Sequence, residues 1–331
     1  MKIDVAICTW NRSTLLRQTL EHMRGLRTPA AAEWRLLVVD NRSTDDTADV
    51  VRAFEQLLPV RYVLESNAGL NYARNRALSE TDGDILIYTD DDVLVDPDWL
   101  EAAVAALSRH ETVAIFGGRI EPLFPVPPDP MLVEAFPELG MGFCSLNHGS
   151  DERLLGKAEY VFGANFGIRR AALPGLTFDT RFGTQGNRPG LWDETEFIER
   201  VRQGGGEVLW VPQMHLRHVV APERATRPYL SRYIHSKGCD AVRTGNRQYP
   251  GRLLFGAPRW LWREVAAAHI RYFMCRMTPL PIGVPAHPQS RHTVRGNRSR
   301  ELAELLWMRE LRYLQGVIAG YRALSAPAAT A

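Results

Sequence analysis

The sequence contains few cysteines, and their spacing does not suit a zinc site. The chain contains four cysteines, Cys8, Cys144, Cys239 and Cys275, and no two of them are separated by only two residues. This spacing argues against a disulfide framework and against a cysteine-ligated zinc site. We therefore expect a reducing compartment.

Long apolar runs are also absent. The apolar stretches are short and interrupted by arginine, whereas a membrane-spanning helix needs roughly twenty consecutive apolar residues. Residues 1–9 enter a β-like run at once, without the basic and apolar segments of an export signal. The sequence therefore predicts a cytoplasmic protein without a spanning helix.

Charge is divided unevenly along a chain of otherwise ordinary globular composition. Of the 331 residues, 45% are apolar and 24% are charged, and the formal net charge is +2. Residues 215–331 contain 19 basic and 6 acidic side chains, whereas the remainder contains 21 basic and 32 acidic ones. An acidic N-terminal part suits a bound metal ion, and a basic C-terminal part suits phosphate, lipid headgroups or nucleic acid. A solvated basic surface is the alternative interpretation.

Short apolar runs alternate with helical patterns in the N-terminal part. Strands are predicted at residues 3–9, 36–39, 61–64 and 85–88, and the apolar spacing between them predicts helices. Strands that are apolar throughout and alternate with helices are typical of a parallel sheet covered on both faces. We therefore predict an α/β fold with a mostly parallel central sheet, whose ligands bind beyond the carboxyl ends of the strands.

Polar clusters follow three of these strands directly, at residues 9–12, 40–43 and 89–92. The last cluster contains Asp90, Asp91 and Asp92, and adjacent carboxylates repel one another unless a cation or hydrogen-bond donors offset their charge. Mg²⁺ and Mn²⁺ prefer oxygen ligands and often bind a few carboxylates together with substrate phosphates. The triplet therefore favours a divalent metal site, with a solvated acidic turn as the alternative.

Further fragments extend this pattern in a fixed order along the chain. They lie at residues 39–45, 67–75, 88–92, 163–165, 178–183 and 192–197 and at His218. Together with residues 9–12, the set resembles the motifs of family 2 glycosyltransferases over about the first 220 residues. The resemblance implies a GT-A type nucleotide-sugar-binding fold over residues 1–222, a nucleotide-sugar donor, and Mg²⁺ or Mn²⁺ as the cofactor.

The resemblance also implies which side chains contact the donor. The donor-binding residues would be Thr9, Trp10, Asn11, Arg12, Asn67 and Arg74. Asp40 would accept a hydrogen bond from the nucleotide base, although an N-cap of the following helix is an alternative role for it. Asp90 or Asp91 would contact the ribose.

Metal-binding and sugar-binding residues follow from the same resemblance. Asp92 would be the direct metal ligand, joined by Asp90 and by His218, which would sit near the diphosphate. Gly163, Ala164 and Asn165 would lie beneath the sugar, where small residues let the backbone approach the ligand.

The general base of the family belongs to a Glu-Asp pair that opens a helix. Here the matching residues are Asp193 and Glu194, so a glutamate stands where the usual aspartate would be. Glutamate reaches about one methylene further, which shifts the reacting oxygen. We predict Glu194 as the base, with Asp193 as the alternative. Acidic residues that only offset the helix dipole are the competing interpretation.

The composition and apolar spacing of residues 223–331 predict a basic, mainly helical region. Two apolar stripes have helical spacing; they consist of Leu261, Val265, Ala268, Tyr272 and Cys275, and of Trp307, Leu311, Leu314, Ile318 and Tyr321. The stripes either contact the inner membrane leaflet near a lipid-linked acceptor or pack against the catalytic domain or a partner subunit, as in a homo-oligomer. No nucleic-acid-binding pattern accompanies the basic charge.

The resemblance therefore implies an inverting, metal-dependent glycosyltransferase, for which we expect a UDP-sugar in preference to other donors. Its acceptor would be a carbohydrate or lipid-linked glycan in surface polysaccharide or glycoconjugate synthesis. A sugar nucleotidyltransferase would need a glycine-rich loop after the first strand, where residues 9–12 read Thr-Trp-Asn-Arg. A catalytically inactive carbohydrate-binding or scaffold protein on the same fold is the other alternative, supported by Glu194.

Overall fold

The computed structural model describes residues 1–29, 32–184, 193–243, 250–277 and 300–325. Their contacts group them into two compact units. The first comprises 1–125, 144–184 and 193–220, and the second comprises 126–143, 221–243, 250–277 and 300–325. The predicted domain boundary after residue 222 stays a prediction. Trp192, at the start of the motif at 192–197, lies outside the described residues.

The secondary structure alternates between strands and helices in the N-terminal part. The strands of the described residues are β1 (Lys2–Thr9), β2 (Glu33–Asp40), β3 (Val60–Leu64), β4 (Ile85–Thr89), β5 (Val93–Val95), β6 (Ile115–Leu123), β7 (Arg153–Leu154), β8 (Asn165–Arg169), β9 (Val208–Val219), β10 (Leu253–Leu254) and β11 (Ala257–Pro258). The α-helices are α1 (Ser13–Met23), α2 (Thr47–Phe54), α3 (Leu70–Glu80), α4 (Trp99–Arg109), α5 (Pro130–Glu134), α6 (Phe136–Leu139), α7 (Asp193–Gln203), α8 (Arg227–Arg243), α9 (Arg259–Met277) and α10 (Arg300–Ser325). The four strands predicted from the sequence coincide with β1 to β4 within a few residues.

Nine strands of the first unit form one sheet. Their order is β3-β2-β1-β4-β8-β6-β9-β5, and β7 pairs with β9. The strands β1, β2, β3, β4, β6 and β9 run in one direction, and β5, β7 and β8 run in the other. The predicted α/β fold with a mostly parallel central sheet is therefore confirmed.

The sheet is covered on both faces, as the apolar strands predict. Val5, Ala6 and Ile7 are consecutive residues of β1, and all three are buried. Because successive side chains of a strand point to opposite faces, both faces must be packed against other elements. The core is therefore central to the first unit and leaves the strand ends to carry polar groups.

The register of the sheet brings the polar clusters to one edge. Thr9 pairs with Asp40 across β1 and β2, and Ile7 pairs with Thr89 across β1 and β4. The carboxyl ends of these three parallel strands are thus adjacent, and the clusters that follow them start from the same edge. Strand β9 runs antiparallel to β5 and pairs His218 with Val93, directly after Asp92.

The second unit is built from α8, α9 and α10 together with shorter elements. Leu261 of α9 and Ile318 of α10 are buried in one cluster, and Cys275 of α9 and Trp307 of α10 are buried in another. The two predicted apolar stripes therefore pack against each other inside this unit. Among the described residues, no helix has both the length and the apolar character needed to cross a bilayer.

Candidate active site

The aspartate triplet lies at the carboxyl end of β4 and is held from the loop after β1. Thr9 Oγ1 donates to Asp91 Oδ2 at 2.7 Å. Arg12 Nη1 donates to Asp91 Oδ1 and to Asp92 Oδ2, each at 2.8 Å. Asp91 and Asp92 are buried, and Asp90 is partly exposed. The predicted residues Thr9 and Arg12 are thus brought to the triplet, where they position its carboxylates.

Crowding of these carboxylates disfavours their ionised forms. Burial and the charge of Asp92 raise the pKa of Asp91 to about 6. The same two causes raise the pKa of Asp90. Arg12 offsets part of this repulsion, and a divalent cation would offset more of it.

His218 completes a group of residues whose atoms fit a divalent ion. His218 Nε2 lies 3.1 Å from Asp92 Oδ1. One ligand atom each from Asp90, Asp92 and His218 fall within 4.8 Å of one another. Two carboxylates and an imidazole are a donor set that divalent metals accept, with substrate phosphates and water completing the coordination. The three predicted metal ligands are therefore together.

Asp40 and Asn11 lie in the loops that follow β2 and β1. Asp40 is buried, and its two oxygens accept hydrogen bonds from the Ser43 backbone N–H at 2.7 Å and from the Tyr62 hydroxyl at 2.8 Å. Asn11 adopts a positive φ of 52° and accepts a hydrogen bond from the Thr44 backbone N–H at 2.7 Å. These bonds tie the two loops together and fix the direction of the Asp40 carboxylate.

Asp40 does not occupy the N-cap of α2, because that position is Asp46. Asp45 Oδ1 accepts hydrogen bonds from the backbone N–H and hydroxyl of Thr47, the first residue of α2. Asp45 Oδ2 also accepts from the backbone N–H of Ser13, the first residue of α1. The Asp45 carboxylate therefore links the first residues of α1 and α2.

Asn67 is positioned by Glu65, which the sequence motifs did not identify. Glu65 is buried, and its Oε1 accepts from the Asn67 backbone N–H at 2.6 Å and from Asn67 Nδ2 at 2.8 Å. Asn41 Nδ2 donates to the Asn67 carbonyl at 2.6 Å. Glu65 directly follows β3, so the rule that polar residues at strand ends are functional candidates would have found it.

The predicted base pair opens α7 and is held by Arg74. Arg74 Nη2 donates to Glu194 Oε1 at 2.7 Å, and Arg74 Nη1 donates to Asp193 Oδ2. The side chains of Arg74 and Asp193 are each 4% exposed, whereas that of Glu194 is 22% exposed. The Arg74 guanidinium thus binds the acidic pair, and its predicted contact with the donor stays a prediction.

The two carboxylates of this pair differ in acidity. Burial and the charge of Glu194 raise the pKa of Asp193 well above its ordinary value. Although burial opposes it, the charge of Arg74 and a hydrogen bond from Asp193 lower the pKa of Glu194. Glu194 is therefore the carboxylate that stays ionised and can accept a proton.

Residues 163–165 lie between the triplet and the acidic pair. A Cβ atom at Gly163 would overlap Glu194 Oε1 and Arg74 Nη2. The Ala164 carbonyl accepts from the Thr89 hydroxyl at 2.8 Å, directly before the triplet. The charges of Arg74 and Glu194 both influence the pKa of Asp90. The two acidic groups therefore lie close to each other at this edge of the sheet.

Asn165 and Trp10 occupy contrasting positions. Asn165 is fully buried; its Oδ1 accepts from Trp99 Nε1 at 2.9 Å, and its Nδ2 donates to the Met214 carbonyl at 2.6 Å. Such bonds are typical of a residue that holds the core together, and its predicted contact with the donor stays a prediction. Trp10 is exposed at the end of β1.

Sequence comparisons relate the chain to sugar-transferring proteins. A family model described as Glycosyl transferase family 2 matches residues 4–173. The succinoglycan biosynthesis protein ExoM of Rhizobium meliloti is 25% identical over 238 residues, which cover 70% of this chain and 71% of ExoM. A glucosyl-dolichyl phosphate glucuronosyltransferase of Haloferax volcanii is 26% identical over 243 residues, covering 70% of this chain and 73% of that protein.

Solved structures show the same architecture. The mannosyltransferase PcManGT from Pyrobaculum calidifontis, in complex with GDP-Man and Mn²⁺, aligns with a TM-score of 0.56 and 19% identity over 84% of this chain and 76% of that one. A TarS fragment from S. aureus in complex with UDP-GlcNAc aligns with a TM-score of 0.51 and 15% identity over 73% of this chain and 67% of that one. At these identities the likeness concerns the fold, and it confirms the GT-A type.

Proposed function

The chain belongs to glycosyl transferase family 2, and we propose that it transfers a sugar, with inversion, from a nucleoside diphosphate sugar to an acceptor hydroxyl. A UDP-sugar is the favoured donor. The observation that supports this reaction is the presence of two separate groups of carboxylates close to each other at one edge of the sheet. One is the group of Asp90, Asp92 and His218, and the other is the Asp193-Glu194 pair held by Arg74.

Asp90, Asp92 and His218 would hold Mg²⁺ or Mn²⁺. When bound, the ion supplies positive charge that offsets the negative charge on the departing diphosphate. Arg12 bridges Asp91 and Asp92, and it keeps these carboxylates oriented toward a shared position. Thr9 fixes the rotamer of Asp91 from the other side. The chain thus supplies a rigid set of ligands.

Glu194 would act as the general base. As the acceptor oxygen forms a bond to the anomeric carbon, the bond between that carbon and the diphosphate oxygen breaks, and the acceptor proton passes to the Glu194 carboxylate. The ionised state of Glu194 and its partial exposure suit this role, whereas the raised pKa and deep burial of Asp193 suit a hydrogen-bonding partner. Arg74 would keep Glu194 ionised and oriented.

The proposed acceptor rests on the names of the relatives. ExoM is named for succinoglycan biosynthesis, so an acceptor on a polysaccharide or lipid-linked glycan is the favoured choice for this chain. A cytoplasmic location, homo-oligomerisation and contact with the inner membrane leaflet are further parts of the hypothesis, and nucleic acid is not an expected partner.

A panel of nucleotide sugars tests the reaction class. We expect the chain to release a nucleoside diphosphate from one donor in the presence of Mn²⁺ or Mg²⁺ and to stop when EDTA is added. Pyrophosphate release from a nucleoside triphosphate and a sugar 1-phosphate would instead identify a sugar nucleotidyltransferase. Donor binding without turnover, on any acceptor of the panel, would identify an inactive binding protein.

Substitution of the two carboxylates tests the assignment of the base. Glu194→Gln should lower kcat by about 10²–10⁴-fold and change donor affinity little, because the proton acceptor is lost while the shape is kept. Asp193→Asn is the matched control and should lower kcat less, because an amide still donates a hydrogen bond to Glu194. The measurement is initial rate against donor concentration. Full activity in Glu194→Gln together with loss in Asp193→Asn would reverse the assignment.

A further inference from the structure

Helix α9 is apolar on two faces, of which one is buried. Leu261, Ala268 and Cys275 are buried within the second unit. On the other side, Ile270 and Phe273 are each 61% exposed and Met277 is 66% exposed. These exposed residues are spaced by three and four positions, so they form one stripe along the helix. A packed core explains the buried stripe but leaves the outward stripe unexplained.

A second exposed apolar feature is the turn between β10 and β11. Phe255, at its tip, is 73% exposed, and Leu253 is 61% exposed. Phe255 has a φ of 49° and Gly256 a φ of 79°, so both central residues of this two-residue turn are left-handed. Asn-Gly is the low-energy choice for such a turn, and a bulky aromatic residue with positive φ is strained. The presence of phenylalanine at position 255 is therefore not explained by the stability of the turn.

The turn and the outward stripe lie on the same side of α9. Trp262 Nε1 donates to the Leu254 carbonyl at 2.8 Å, and the ring of Phe255 meets the ring of Trp262 edge-on at 6.2 Å. Phe273 follows Trp262 by eleven residues, which is about three helical turns. The two residues therefore point in nearly the same direction, and the turn and the stripe extend one surface.

Positive charge borders this surface. Residues 250–277 contain five arginines and one acidic residue, Glu264. Arg252, Arg259 and Arg263 are exposed. A second copy of the chain would bring arginines against arginines, which is unfavourable. An anionic lipid surface supplies the opposite charge and accepts a protruding aromatic tip without a matching pocket.

We propose that the apolar surface formed by Leu253, Leu254, Phe255, Ile270, Phe273 and Met277 inserts into the interface of an anionic lipid bilayer, with the neighbouring arginines at the headgroups. This surface differs from the stripes that the sequence analysis considered for membrane contact, since those stripes are buried in the second unit. The proposal does not depend on sugar transfer, because binding to lipid can be measured without a donor.

Cosedimentation of the full chain with vesicles tests the proposal. We expect binding to vesicles that contain phosphatidylglycerol in phosphatidylcholine, weaker binding at high salt, and little binding to phosphatidylcholine alone. Phe255→Asn should reduce vesicle affinity about tenfold or more, because it removes a buried aromatic ring from the bound state. The same substitution should keep or raise the melting temperature, because asparagine suits the left-handed turn position.

Two further variants make the outcome decisive. Phe273→Ser should also reduce vesicle affinity, and Leu57→Asn, an equally simple change at an exposed apolar residue of the first unit, should leave it unchanged. Failure of the unaltered chain to bind anionic vesicles would overturn the proposal. So would equal loss in the Leu57 control, or a dimer in light scattering that Phe255→Asn dissociates, since the surface would then bind a second copy.

Discussion

Arg74 is a buried cation that contacts both carboxylates of the acidic pair. Its guanidinium reaches Asp193 and Glu194 on α7 from α3, and the Tyr88 hydroxyl donates to its backbone carbonyl at 2.8 Å. Removing one partner of such a buried group leaves the other charge uncompensated. The position of the base thus depends on a few atoms, and Gly163 lies directly against them.

Gly163→Ala should lower kcat by about 100-fold, because the new methyl group must displace the ends of the Glu194 and Arg74 side chains. Glu194 is partly exposed and can move aside, whereas the buried Arg74 is held by Asp193, so the melting temperature should fall slightly as well. Kinetics and thermal unfolding of the same preparation check both parts. Gly25→Ala is the control, since its nearest neighbour would be the His22 carbonyl at 3.5 Å, an ordinary contact. Unaltered kcat in Gly163→Ala would show that the base tolerates displacement.

Glu159 gives a pH-dependent contribution to stability. Hydrogen bonds from Arg153 lower its pKa from 4.5 to about 2, although burial acts in the opposite direction. Because the pKa is lower in the folded state, the stabilisation is complete above about pH 4.5 and is lost as the pH falls toward 2.

Glu159→Gln should therefore cost stability near neutral pH and little near pH 2. The cost should be below about 1 kcal/mol, because the pair is partly exposed. Urea unfolding of both proteins across this pH range measures the difference. A difference that stays constant with pH, or grows as the pH falls, would contradict the ion pair.

At the scale of elements, α8 and α10 approach so closely that only glycine fits between them. A Cβ atom at Gly238 of α8 would overlap the Tyr313 carbonyl of α10, and one at Gly316 of α10 would overlap the His235 carbonyl of α8. These neighbours are backbone atoms, which cannot rotate away. The second unit therefore relies on backbone contact between two helices.

Gly316→Ala should destabilise the chain by about 1–3 kcal/mol through overpacking. In an isolated helix the same change would stabilise by about 1 kcal/mol, so the sign of the effect distinguishes close packing from simple helix propensity. Chemical denaturation gives the free energy of unfolding. Leu324→Ala, at an exposed position of α10, serves as the control and should change it by less than about 0.5 kcal/mol.

On the scale of the whole molecule, acidic and basic charge are segregated along the chain. The part before residue 215 carries the carboxylates of the candidate active site, and the part after it carries the arginines beside the exposed apolar surface. The acidic part would attract a metal ion, which in turn holds the diphosphate. The basic part would attract an anionic surface.

Ligand binding should raise the melting temperature of the protein only when metal and nucleotide are both present. UDP at 100 times its Kd adds about 2.7 kcal/mol to the folded state. Asp92→Asn should abolish the shift that UDP and Mn²⁺ produce together, and Phe255→Asn should retain it. A UDP-induced shift that is the same with EDTA and with Mn²⁺ would contradict a metal-assisted donor site. Differential scanning fluorimetry measures the melting temperature of each protein with and without UDP, in Mn²⁺ and in EDTA.

The sheet and the edge that carries the site follow from local patterns. Apolar runs at 3–9, 36–39, 61–64 and 85–88 predicted β1 to β4, because a strand that is covered on both faces has apolar side chains at nearly every position. The polar residues after these strands then had to meet at one edge, since parallel strands end together.

Contacts between residues that are far apart in the sequence depend on the tertiary structure. Arg74 and Asp193 are separated by 119 positions, and no local rule indicates that they meet. The pairing of β9 with β5 likewise brings His218 to Asp92, and the packing of α9 selects which of its two apolar faces is exposed. Such choices depend on how distant elements pack together, because a side chain's neighbours, burial and pKa exist only once that packing has formed.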